Sequence, residues 1–169
     1  MEVIVLSGKS NSGKTTILDN LYKKLKDDDF EEKMSHYTYD RKDHRVFLNG
    51  KDSNGKDINL LITTPGDNAK ELLNNFLFYI DCYRLSKNID CWILAENTKN
   101  NEIHEWLSKL LDIIQDINQE KINKDYIKTK QCRNSTRNRN QERINEDNKR
   151  CLDEILKKLN IKEVKNEVQ

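Results

Sequence analysis

The sequence predicts an α/β fold of three layers, with a mainly parallel sheet and a β-hairpin inserted into it. Three observations predict it. Two runs of unbroken apolarity, Val3-Ile4-Val5-Leu6 and Cys91-Trp92-Ile93-Leu94, read as strands covered on both faces, as parallel strands are. Between such runs lie stretches whose apolar residues repeat with the 3.6-residue period of a helix. The five glycines and one proline cluster at strand ends, where turns belong.

The elements follow in order. Residues 3–6 form a strand, and residues 15–26 carry Ile17, Leu18, Leu21, Tyr22 and Leu25 on one helical face. Residues 26–33 are mostly acidic and read as a surface loop, with a second strand over 34–39. Residues 45–48 and 57–64, separated by a polar turn holding Gly50 and Gly55, read as a hairpin whose second arm is central. Leu72, Leu73, Phe76, Leu77, Ile80 and Tyr83 define a helix over 71–86, and 89–95 is a further buried strand. Ile103, Trp106, Leu107, Leu110, Ile113, Ile114 and Ile117 mark a helix over 102–118. A short strand over 125–129 and a last helix over 143–159 complete one domain spanning 1–160, with 161–169 a frayed tail. No internal repeat is visible.

Composition narrows the functions. The 169 residues suit one domain, and 35% hydrophobic against 35% charged residues leaves a core built from a few apolar runs. Thirty Lys and Arg against 29 Asp and Glu give a net charge of +1, so a globally basic nucleic-acid binder is not indicated. No apolar run approaches the ~20 residues of a membrane span, and no signal peptide is visible. Cys82, Cys91, Cys132 and Cys151 form no CxxC pair, and Cys82 and Cys91 sit in apolar surroundings as buried thiols, so the expected setting is reducing and cytoplasmic. His36, His44 and His104 lack ligand-like spacing, and no structural zinc is expected. Trp92 and Trp106 read as core residues, and Phe76, Phe78, Tyr79 and Tyr83 chiefly as helix packing.

One motif carries chemistry. Gly8-Lys9-Ser10-Asn11-Ser12-Gly13-Lys14-Thr15 matches GxxxxGK[ST], with a strand before it and a helix after it. Gly8 and Gly13 let the backbone turn its N–H groups towards phosphate oxygens, and the helix beginning near Lys14 directs its positive end at the same anion. On these residues the chain resembles the P-loop NTPases, the Walker A proteins. The resemblance implies a nucleotide held by residues 8–16, with Lys14 on the β- and γ-phosphates, Thr15 on Mg²⁺ and Thr16 beside the α-phosphate. Lys14 is expected to face solvent.

The remaining nucleotide motifs are incomplete. Leu60-Leu61-Ile62-Thr63-Thr64-Pro65-Gly66-Asp67 is similar to the DxPG turn of GTPases, but Thr63 stands where the aspartate belongs, and Asp67 is the nearest acid. A second strand ends in Glu96. Ligands gather at the carboxyl ends of strands in open α/β sheets, so Asp67 and Glu96 compete for Mg²⁺, with Asp67 preferred. The residues 96–101 do not match NKxD, which disfavours GTP and leaves ATP.

The layout also resembles the small nucleotide and metabolite kinases of the P-loop class. That resemblance implies an acceptor-side carboxylate at Asp40, an anionic acceptor contacted by Arg41 and Arg45, and a substrate loop at residues 64–68. Such kinases carry an arginine-bearing lid, yet residues 102–125 contain no arginine. Arg133, Arg137, Arg139, Arg143 and Arg150 lie beyond it instead. The stretch 128–143 is a solvated polar excursion, a mobile lid or a basic arm, and the sequence leaves the three open. The expected function is phosphoryl transfer to a small acceptor, or hydrolysis, by an ATP- and Mg²⁺-binding protein. A nucleotide-dependent switch or accessory subunit, waiting for a protein partner, is the alternative from another class, and a degenerate GTPase is the third.

Overall fold

The computed structural model describes residues 1–9, 11–38, 43–97, 101–129 and 137–161. Strand β1 (Glu2–Gly8) leads into helix α1 (Lys14–Asp27), followed by β2 (Glu31–Tyr37), β3 (His44–Lys51) and β4 (Asp57–Thr63). Helix α2 (Ala69–Ser86), β5 (Cys91–Asn97), α3 (Asn101–Asn118), β6 (Asn123–Lys128) and α4 (Arg137–Lys158) complete the chain. The described residues form one six-stranded sheet in the order β2-β3-β4-β5-β1-β6.

Strands β4, β5, β1 and β6 run parallel, while β3 is antiparallel to both β2 and β4, so the sheet is mixed. The hairpin of β3 and β4 is therefore integral to the sheet, and β2 lies outside it as an edge. Mostly polar β2 suits that place: Glu31 and Lys33 form an ion pair on the exposed edge, which discourages pairing with another chain.

Strand alternation sorts the core into two layers. Ile4, Leu6, Leu60, Ile62 and Ile93 pack against Ile17, Leu18 and Leu21 of α1 and Ile155 of α4. Val3, Val5, Leu61, Trp92 and Leu94 point the other way, onto Leu72 and Tyr79 of α2 and Leu107 and Ile114 of α3. Val3 to Leu6 are wholly buried, each contributing roughly 1.5–3 kcal/mol of hydrophobic stabilisation. Trp92 is fully buried, but Trp106 is 44% exposed, so its expected core role is corrected: it lies at the rim of the apolar face of α3. Cys82, Cys91 and Cys151 are buried; burial pushes the Cys82 thiol up to about 12, which keeps it neutral.

The helix expected from residue 143 begins earlier, at Arg137, and Lys128 belongs to β6. Most of the Arg-rich stretch with described structure is thus helix or strand rather than a loop, while residues 130–136, Arg133 among them, lie outside the described residues. Arg150 is occupied within α4, donating to Asp147 at 2.9 Å and Glu154 at 3.3 Å and to the Lys128 carbonyl at 2.8 Å. The expected tail is buried at Ile161, and 162–169 lie outside the description. Among the described residues no helix is long and apolar enough to cross a membrane.

Candidate functional site

The carboxyl ends of β1, β4, β5 and β6 lie at one end of the sheet, where residues 8–9 and 11–15 lead from β1 into α1. One position does most to explain the path of this turn. Gly13, at the helix N-cap, has φ of 84°, in the left-handed region that glycine enters without strain. A Cβ there would come within 2.6 Å of Asn148 Oδ1 on α4, so the loop's back is closely covered. The other side is covered by Thr129, whose hydroxyl donates to Ser12 Oγ at 2.7 Å.

Lys14 threads back under the loop. Its Nζ donates to the Gly8 and Lys9 carbonyls, both at 2.9 Å, which leaves one N–H for a ligand. The side chain is not solvent-facing as expected: Lys14 is only 7% exposed, because its stem is packed beneath the loop it braces. Burial lowers its pKa, opposed by the nearby charges of Asp67 and Glu96.

Opposite the loop stands the turn after β4. Thr63 faces α2 and α3, away from α1, and its Oγ1 accepts the Trp92 indole N–H at 3.0 Å. Thr64 faces the other way; its hydroxyl donates to Asp43 Oδ1 at 3.1 Å. Gly66 then crosses over the end of β5 so closely that a Cβ would overlap the Ala95 carbonyl oxygen. Asn75 of α2 fastens the turn by donating to the Pro65 carbonyl at 2.7 Å, and Asn68 caps α2 by accepting from Glu71 N at 3.0 Å.

Between loop and turn lies a cleft of about 420 Å³, lined by Ser12, Lys14, Thr15 and Thr16 on one side and by Asp43, Asp67 and Glu71 on the other. Asn11 and Gly13 also line it. Asp67 is exposed at the cleft, and Glu96 is buried, although both act electrostatically on Lys14. Glu96 neighbours Ser7 of β1 in the sheet and is held by His104 of α3, whose Nδ1 lies 2.8 Å from its Oε1.

Of the expected site residues, the structure thus brings together Gly8, Lys9, Asn11, Ser12, Gly13, Lys14, Thr15, Thr16, Asp67 and Glu96. Ser10, Asp40 and Arg41 lie outside the described residues. Arg45, expected to contact an anionic acceptor, is not among the residues lining this cleft: it is buried, its Nε donating to Asn75 Oδ1 at 2.7 Å and its Nη2 to Glu71 Oε2 at 2.5 Å. Asp43 and Glu71 of the cleft wall went unassigned in the sequence. Only the proximity of Asp43 to the hairpin start and of Glu71 to the Pro65 turn hinted at them.

Comparison with protein-family models, with curated proteins and with solved structures finds no match to this chain.

Proposed function

We propose that the chain binds a nucleoside triphosphate as its Mg²⁺ complex and moves the terminal phosphoryl group to a small acceptor or to water. ATP is the nucleotide assigned, since the residues after β5 do not match the guanine-reading pattern. The observation that carries this reading is Lys14 buried beneath the 8–15 loop, its Nζ 2.9 Å from two loop carbonyls and one donor left over, beside a cleft large enough for a phosphate chain. A lysine so placed, with glycine-permitted backbone and a helix N-terminus around it, is what a polyphosphate requires.

The donor set fits Mg²⁺. The Thr15 hydroxyl and the Asp67 carboxylate are hard oxygen ligands at the cleft. Among the described residues no group of three or more His, Cys, Asp or Glu side chains makes a metal cage by itself. Mg²⁺ commonly completes its shell with waters and substrate oxygens rather than with protein alone. Bound there, Mg²⁺ would supply charge neutralisation on the phosphates. Lys14 and the loop amides would hold and stabilise the transferring group. Thr16 would flank the phosphate chain, and Asp40 remains the acceptor-side base of the kinase reading.

The test follows the γ-phosphate of labelled ATP with Mg²⁺ and a pool of small acceptors. Label in an organic product supports a kinase, and label in free phosphate an ATPase. ATP neither bound nor consumed removes the reading.

One observation favours a second reading, a nucleotide-dependent switch with little turnover alone. Thr63, at the position of the missing aspartate, is turned into the core against Trp92, so that strand end offers no acid. Intact ATP with measurable binding, and turnover per molecule that rises with protein concentration, would select it.

A further inference from the structure

A second cavity of about 400 Å³ opens on the β2 side of α2, back to back with the cleft. Met34, Leu77 and Phe78 give it an apolar side, and Ser35, His36, Arg45, Asn74 and Asp81 supply its polar groups. Arg45 is 2% exposed, a guanidinium sunk into the wall of a cavity. Three of its five N–H donors are engaged: one by Asn75, one by Glu71 and one towards His36 Nδ1 at 3.3 Å. Two N–H groups, on Nη1 and Nη2, remain among the described contacts. The acid on the same wall, Asp81, lies 3.7 Å from Arg84.

A buried cation with unspent donors beside apolar side chains selects a ligand with one negative end and an apolar body. The guanidinium fork matches a carboxylate in shape and charge, and Leu77, 53% exposed, gives the body a surface to cover.

Glu71 links the two cavities. It pairs with Arg45 on one side and lines the cleft on the other. A carboxylate that draws Arg45 away leaves the charge of Glu71 unbalanced towards the cleft. From this geometry we infer that the groove binds a small apolar carboxylate through Arg45 and thereby weakens anion binding in the cleft. The groove stands on its own observations, and the coupling rests on the nucleotide reading.

The experiment uses 3-phenylpropionate as probe and 3-phenylpropanol as its uncharged match. Binding is read by chemical-shift changes in the full chain, and MgATP affinity is then measured with and without probe. The acid should bind at least about tenfold tighter than the alcohol. Leu77→Asp, a surface change checked by thermal melting, should weaken the acid by a similar factor of about ten through charge repulsion. Saturating probe should weaken MgATP about fivefold or more, and Glu71→Gln should abolish that linkage. Equal binding of acid and alcohol, no binding up to about 10 mM, or indifference to Leu77→Asp overturns the site. Probe binding with unchanged MgATP affinity overturns the coupling. Probe binding without any ATP binding leaves the groove standing, overturns the coupling and refutes the nucleotide reading.

Discussion

The Trp92 indole N–H donates to Thr63 Oγ1 at 3.0 Å, across two parallel strands and inside the layer covered by α2 and α3. This bond decides what Thr63 is for. Thr63 is fully buried, and its side chain lies on the face opposite α1, so it serves the core. Restoring the acid with Thr63→Asp should therefore create no metal ligand. It buries a carboxylate among Trp92 and its neighbours and should destabilise the fold by about 3 kcal/mol or more. Thr63→Val should lose only about 1 kcal/mol for the missing bond. Urea unfolding followed by tryptophan fluorescence measures both.

On the nucleotide reading, Lys14→Ala should lower MgATP affinity by at least about two orders of magnitude, because the charge proposed to meet the phosphates is lost. Because Lys14 is buried and braces two carbonyls, the substitution should also lower the melting temperature. Calorimetric titration, with melting as the companion measurement, would refute the site if affinity survives.

The two acids near Lys14 should separate by their settings. Asp67→Asn should raise the Mg²⁺ concentration needed for nucleotide binding, since Asp67 is exposed at the cleft. Glu96 is buried and held by His104, so Glu96→Gln should leave the Mg²⁺ requirement within about twofold and act mainly on stability through a lost charge-assisted bond. A Mg²⁺ titration in each variant reverses the assignment if Glu96→Gln shows the larger shift.

His44 is 5% exposed, its Nδ1 lies 3.3 Å from Asp19 Oδ1, and burial lowers its pKa below 6.5 against the raising charges of Asp19, Asp43 and Glu32. The unfolded chain then takes the proton before the fold does. The stability tied to the neutral ring is complete above pH 6.5 and is lost as pH falls below it, at no more than about 1.4 kcal/mol per pH unit. Asp19 runs the other way: burial raises its pKa above 3.8, so its protonation in the fold eases acidification nearer that value. His44→Gln should flatten the decline between pH 7 and 5. Unfolding free energies across that range test the sign, and an unchanged slope would show that His44 does not set it.

Gly66→Ala should displace the turn that carries Asp67, because the added methyl would overlap the Ala95 carbonyl, a backbone atom with no rotamer to escape into. The expected result is a loss of a few kcal/mol together with a weaker Mg²⁺ dependence. Normal stability with normal Mg²⁺ dependence would mean that the backbone yields there.

Much of this was legible in the sequence, and the reasons differ by element. Each of the ten helices and strands among the described residues has a counterpart in the sequence, α1, α2 and α3 through helical periodicity and β1 and β5 through unbroken apolarity, because a residue's burial on a strand or helix face is a local property. Boundaries slipped where polar residues carry structure: β2 begins at Glu31, inside the stretch that reads as an acidic loop, since an edge strand needs few apolar residues. The order of strands was not legible, because nothing in β1 or β4 records that β5 lies between them. The place of Arg45, away from the cleft lining, was hidden for the same reason. Its partners Glu71 and Asn75 are on α2 and distant in the chain, and a charged residue near a strand start looks equally suited to solvent, ligand or core.

The position of β5 has a mechanical consequence. The loop after β1 and the turn after β4 belong to strands that share no hydrogen bonds, held apart by the width of one strand on each side, roughly 10 Å in all. Whatever spans the cleft closes an arch over the tip of β5, with Ala95 as its keystone beneath Gly66. A ligand bound there would load the middle of the sheet, between the two packed layers, and not either edge.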